Sequence, residues 1–145
     1  MELVLHNDIE ALGTAAARLG AFLETLTLPC ATIYAIDLAF EEIVSNTIKY
    51  GYVPGRPDRI EVVLTVDAGT ARMRISDRAN AFDPLAADAP DLNLSTEDRP
   101  VGGLGIHLVK NLVRGMEYRR DGGQNILTLD FADAETTGPR TGEPA

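Results

Sequence analysis

Three clusters in this chain carry residue types suited to a phosphorylated ligand. "YAIDLAFEEIVSNTIKYGY", from Tyr34 to Tyr52, reads as a helix and sets Glu42 four residues before Asn46. That spacing stacks a carboxylate over a neutral amide on one helical face. The carboxylate suits proton work, and the amide oxygen suits Mg²⁺, an ion that keeps several waters and takes few protein oxygens. A lone pair of this kind also occurs on ordinary solvent faces. In "MRISDRANAFDPL" a strand ends on Asp77, which could accept a hydrogen bond from the exocyclic amine of an adenine, with Phe82 as a pocket wall. A turn needing Asp and Asn would look similar. In "VGGLGIHLV", Gly102, Gly103 and Gly105 let the backbone approach a ligand closely and leave amides free at a helix start. A plain glycine turn is the competing reading. His107, inside that helix, reads as a packing or surface residue rather than a catalyst.

The elements that must hold these clusters follow from periodicity. "ELVL" is a short strand, and Asp8 to about Leu26 a helix capped by Asn7 or Asp8. A second helix runs from about Ala31 to Tyr50, with Ile33, Ile36, Phe40, Ile43, Val44 and Thr47 on one side and Glu42, Asn46 and Lys49 roughly opposite. Gly51, Pro54, Gly55 and Pro57 mark a loop. "RIEVVLTVD" and "ARMRISD" form a hairpin, with Met73 and Ile75 inward, and "MEYRR" and "NILTLDF" form another across Asp121-Gly122-Gly123. A third helix, Leu104 to about Arg114, is expected to anchor to the core through Leu104, Leu108 and Leu112 with Val109, Val113 and Met116. The eighteen residues Pro84–Val101 hold three prolines and no period, which suits a lid over a ligand. This order predicts an α+β two-layer sandwich, helices on one face of a mostly antiparallel sheet, in a single domain over residues 1–133. Residues 134–145 are expected to be a disordered tail.

Composition narrows the function classes. With 145 residues the chain can bury a core without disulfides, and its single cysteine, Cys30, excludes an internal disulfide framework. Cys30 is expected to be a buried or half-buried small hydrophobe. Twenty-two acidic against thirteen basic residues give a charge of −9, which argues against direct nucleic-acid binding but not against binding a nucleotide. No apolar run is long enough to span a bilayer, and "MELVLHNDIE" lacks the order of a signal peptide, so a cytoplasmic protein without a membrane partner is expected. The chain has no GxxxxGK[ST], no HRD or DFG set, no zinc spacing and no G-x-S-x-G elbow.

Taken in order, the three clusters resemble the GHKL (Bergerat-fold, histidine-kinase-like) ATPases, and within them the anti-sigma-factor serine/threonine kinases. "FEEIVSNTIKYGY" is similar to the family's asparagine box, "ISDRANAFDPL" to its first glycine box and "VGGLGIHLVKNLVRGMEY" to its second, with "NILTLDF" as the closing strand. The resemblance spans about Ala31 to Phe131. It implies an ATP-binding Bergerat fold with Glu42 as general base, Asn46 as Mg²⁺ ligand and Asp77 as adenine-recognising carboxylate. It also implies Ala79, Phe82 and Leu104 beside the nucleotide, with Gly103 and Gly105 meeting its phosphates. The implied activity is phosphorylation of a STAS-domain anti-sigma-factor antagonist, with sequestration of a sigma factor or similar regulator and formation of a homodimer. Two departures stand out: Ala79 occupies a usual glycine position, and Tyr50 a frequent histidine position. Two other readings stay open, a non-catalytic regulator-binding module, favoured by Ala79, and a detached histidine-kinase catalytic domain. The latter would need a separate acceptor, because neither His6 nor His107 sits in a phosphoacceptor helix.

Overall fold

The computed structural model of the protein describes residues 1–86 and 103–131. Gly102, most of the expected lid and the tail after Ala134 lie outside the described residues. Along the chain run β1 (Glu2–His6), α1 (Ile9–Glu24), α2 (Cys30–Tyr50), β2 (Arg59–Asp67), β3 (Thr70–Asp77), a single 3₁₀ turn at Pro84–Ala86, α3 (Gly103–Leu112), β4 (Gly115–Asp121) and β5 (Gln124–Phe131). Every strand pairing is antiparallel, in the order β1-β2-β3-β5-β4. The α+β sandwich read from the sequence is the fold observed. No described helix is long and apolar enough to cross a membrane.

Local chemistry accounts for the boundaries. Asp8 rather than Asn7 caps α1, its Oδ1 accepting from the Ala11 amide at 2.7 Å. Asn7 instead ties β1 to the loop before β2: its Nδ2 donates to the Arg56 carbonyl, and its Oδ1 accepts from the Asp58 amide. The β2–β3 turn places Ala68 and Gly69 at φ 50° and 81°, and the β4–β5 turn places Gly122 and Gly123 at 58° and 78°. Two consecutive positive φ angles twist the chain to suit a tight hairpin. Alternation does the rest. Leu3 and Leu5, Ile60, Val62 and Leu64, Met73 and Ile75, and Leu127, Leu129 and Phe131 face the helices and are buried. Against them lie Leu12, Leu19 and Leu23 of α1 and Ile36, Phe40 and Val44 of α2.

Two packing expectations fail. α3 buries Ile106 and Val109, whereas Leu104, Leu108 and Leu112 are 39%, 45% and 38% exposed. At 100° per residue Leu104 and Leu108 project about 160° from Ile106, so one helix cannot bury both stripes. Val113 and Met116 do pack against the core. Cys30 is exposed, because as the first residue of α2 it is turned about 120° from the buried Ile36.

Candidate functional site

Where the C-terminal half of α2 faces the ends of β3 and β5, the two layers part around a cavity of about 320 Å³. That volume falls within the range of small-ligand pockets. Ile43, Asn46, Thr47 and Tyr50 form one wall. The sequence reading set Asn46 roughly opposite Ile43 and Thr47. Three residues of helix return to within about 60° of the starting direction, so Asn46 borders the apolar stripe and shares its cavity. Asp77, Ala79 and Phe82 line the far side, as the sequence reading required, with Phe82 54% exposed.

Asp77 is 6% exposed. Its Oδ1 accepts from the Ala79 amide at 3.0 Å and from Asn125 Nδ2 at 2.9 Å, while no described residue hydrogen-bonds Oδ2. Burial pushes this carboxyl above its ordinary range; the two hydrogen bonds and the nearby Arg120 guanidinium oppose that rise without cancelling it. Nearby, burial and then the Asp77 and Asp58 carboxylates push the Tyr52 hydroxyl up to about 12. One oxygen of a largely desolvated carboxylate is therefore held by protein donors, and the other stays available as an acceptor.

Asn46 is unusual in another way. Its Nδ2 is buried without a partner, and no described residue hydrogen-bonds the other end of the amide. An unmet buried amide costs about 1–3 kcal/mol, an expense concentrated at functional positions. Rotating the amide by half a turn exchanges its oxygen and nitrogen. The group thus fits a ligand that brings its own partner, including a hydrated cation. No cluster of three or more His, Cys, Asp or Glu among the described residues could cage a metal. A Mg²⁺ here would rest on Asn46 together with oxygens from a phosphate ligand.

Glu42, Leu104 and Gly105 do not line this cavity, whereas Ile106 does, and Gly103 opens α3. Glu42 packs on Gly105: a Cβ built there would overlap the carboxylate and stand 2.6 Å from its Cδ. Gly105 thus brings the asparagine-box carboxylate against the first turn of α3. His107 is half-buried on the same helix, its Nε2 3.2 Å from Asn111 Nδ2, and takes no part in the cavity.

The Ala79 departure has a local explanation. Ala79 does not adopt a positive φ, so its backbone does not require glycine. Its methyl lies beside Gly51, where a Cβ would stand 2.8 Å from Ala79 Cβ and 2.7 Å from the Thr47 carbonyl oxygen. In this chain the residue without a side chain at that contact is Gly51, at the end of α2.

Sequence reasoning missed Asn125, Tyr118 and Arg120. Tyr118 Oη and Arg120 Nη1 donate to Asn125 Oδ1 at 2.6 and 2.9 Å. The available signal was faint, a polar residue opening the otherwise apolar "NILTLDF". Only the strand register puts it opposite Asp77.

Comparison with known proteins identifies the family and the fold. Residues 5–131 match the histidine kinase-like ATPase domain family. The chain is 30% identical over 96 residues to the serine/threonine-protein kinase BtrW of Bordetella bronchiseptica, covering 66% of this chain and 68% of that protein. In structure it is similar to the RsbU and RsbW domains of Rv1364c from Mycobacterium tuberculosis, with TM-score 0.61 and 21% identity over 92% of this chain. It spans about a third of that longer chain, 32%. It is also similar to the blue-light activated histidine kinase EL346 of Erythrobacter litoralis, with TM-score 0.53 and 13% identity, covering 87% of this chain and 42% of that one. The chain belongs to the histidine kinase-like (GHKL) ATPase family.

Proposed function

We propose that this protein is an ATP-dependent serine/threonine kinase of a partner-switching pathway, phosphorylating a STAS-domain anti-sigma-factor antagonist and sequestering a sigma factor or similar regulator. The observation carrying the reading is a single cavity that joins the free Oδ2 of Asp77 to the unpartnered amide of Asn46. In this reading Asp77 Oδ2 accepts from the adenine amine, Phe82 covers the base, and Asn46 offers its oxygen to Mg²⁺. The amides at Gly103 and Gly105 meet the phosphates at the start of α3. Glu42 takes the proton from a serine hydroxyl as that oxygen bonds to the γ-phosphorus and the bond to ADP breaks. Bound Mg²⁺ supplies charge neutralisation on the phosphate oxygens.

The test has two stages. Calorimetric titration with ATP and Mg²⁺ should give saturable binding that Asp77→Asn weakens sharply. Intact-mass analysis of a serine-bearing STAS protein incubated with kinase and ATP should then show one added phosphate, lost with Glu42→Gln. No binding at millimolar ATP overturns the nucleotide assignment. Binding without transfer to any STAS protein, with partner control unchanged by Glu42→Gln, overturns the kinase assignment and leaves a sequestering module.

A further inference from the structure

Strand register sets three side chains in one row across the end of the sheet. Asp77 on β3 pairs with Asn125 on β5, and Asn125 pairs with Arg120 on β4. Tyr118, one inward position along β4, reaches the same amide. We infer that Asn125, oriented by Arg120 and Tyr118, is a positioning residue for purine discrimination: it holds Asp77 so that one oxygen alone, an acceptor, faces the base. This rests on the reading of Asp77 as the partner of the adenine amine.

The orientation of the Asn125 amide follows from chemistry. A guanidinium can only donate, so the atom 2.9 Å from Arg120 Nη1 must be the amide oxygen. Tyr118 then donates to that oxygen as well. The amide nitrogen is thereby turned toward Asp77 Oδ1, and it also donates to the Asn80 and Ala79 carbonyls at 3.0 and 3.4 Å. Arg120 Nη1 also reaches the Ala79 carbonyl, at 3.3 Å, and so ties the loop after β3 to the same row. Asn125 is 7% exposed, and water has little access to scramble the arrangement. With one Asp77 oxygen occupied by two donors, tilting the carboxylate plane away from them would weaken both bonds, and a half-turn only exchanges two equivalent oxygens. The base therefore meets a fixed acceptor, which matches a 6-amino purine and opposes a 6-oxo purine.

The measurement is the ratio of dissociation constants for ITP and ATP, each with Mg²⁺, for the parent chain, Asn125→Asp, Asn125→Ala, Tyr118→Phe and Asp77→Asn. Asn125→Asp is nearly isosteric and keeps both donors on Oδ1, but it turns a carboxylate oxygen toward Asp77. The parent should favour ATP. Asn125→Asp and Asn125→Ala should lower that preference by about tenfold, and Tyr118→Phe by less, as befits one lost hydrogen bond among several. A merely structural role would weaken ATP and ITP alike and leave the ratio unchanged, and that result overturns the inference. If Asp77→Asn collapses the preference while the Asn125 variants keep it, Asp77 reads the base and Asn125 does not position it. If Asp77→Asn itself leaves the ratio unchanged, the underlying reading of Asp77 fails, and the inference with it.

Discussion

Gly105→Ala tests whether the missing side chain at Gly105 makes room for Glu42, and it needs no nucleotide. Gly105 is the third residue of α3, and exchanging glycine for alanine within a helix gains about 0.5–1 kcal/mol. Opposing this, the new methyl would overlap the Glu42 carboxylate and crowd its Cγ at 3.3 Å. Glu42 is half-buried and can move, but forcing a side chain off its rotamer costs about 0.5–1.5 kcal/mol. The two terms are of equal size and opposite sign. Gly105→Ala alone should therefore leave the unfolding midpoint nearly unchanged. In a Glu42→Ala background the obstacle is gone, and the full helix gain should appear, about 2–4 °C for a domain of this size.

Thermal and urea unfolding of the parent, both single variants and the double variant close the cycle. The expected coupling is about 0.5–1.5 kcal/mol, the cost of the displaced rotamer, which lies within the range for residues in direct contact. Equal increments from Gly105→Ala in the two backgrounds would refute the reasoning, because the methyl and the carboxylate would then not compete for space. A marked loss of stability in the parent background would refute it differently, by showing that Glu42 has nowhere else to go.

Asp77→Asn keeps an oxygen for both protein donors while removing a desolvated charge. Because the folded-state pKa of Asp77 is raised, its ionisation opposes folding: the cost is absent in acid and grows as pH rises from about 4 through the folded value. Unfolding from pH 4 to 8 should show the variant matching the parent in acid and exceeding it at neutral pH. Gly51→Ala should lose about 1–3 kcal/mol through overpacking, with only part recovered by adding Ala79→Gly, since the Thr47 carbonyl remains 2.7 Å away. Urea midpoints of the two variants check this. Ala68→Gly should raise stability by about 1 kcal/mol, because Ala68 at φ 50° occupies a backbone region that suits glycine, and urea unfolding should show it. Tyr52 should ionise only near pH 12, later than an ordinary phenol, so stability should fall between about pH 10 and 12. Ultraviolet titration beside circular dichroism would follow both.

The strands were legible because each buries one face, so Leu3 and Leu5 or Met73 and Ile75 announce the inner side directly. The order of the elements then sufficed for the sandwich. Helix α3 was harder because it is apolar on two sides: periodicity says which residues share a face, but only the neighbouring layer decides that Ile106 goes in and Leu108 stays out. Asn125 was out of reach for a related reason. Its bond to Asp77 spans 48 positions and exists only in one register of β5 on β3, a pairing that local pattern does not encode. Gly105, read as a place where a ligand approaches, meets the carboxylate of Glu42 in the structure, and Gly51, read only as a loop marker, meets the methyl of Ala79. If a phosphate does come to rest at the start of α3, it meets a turn already fitted around Glu42. Substitution at Gly105 would then move the carboxylate as well as the amides, and defects in phosphate binding and in proton transfer should appear together.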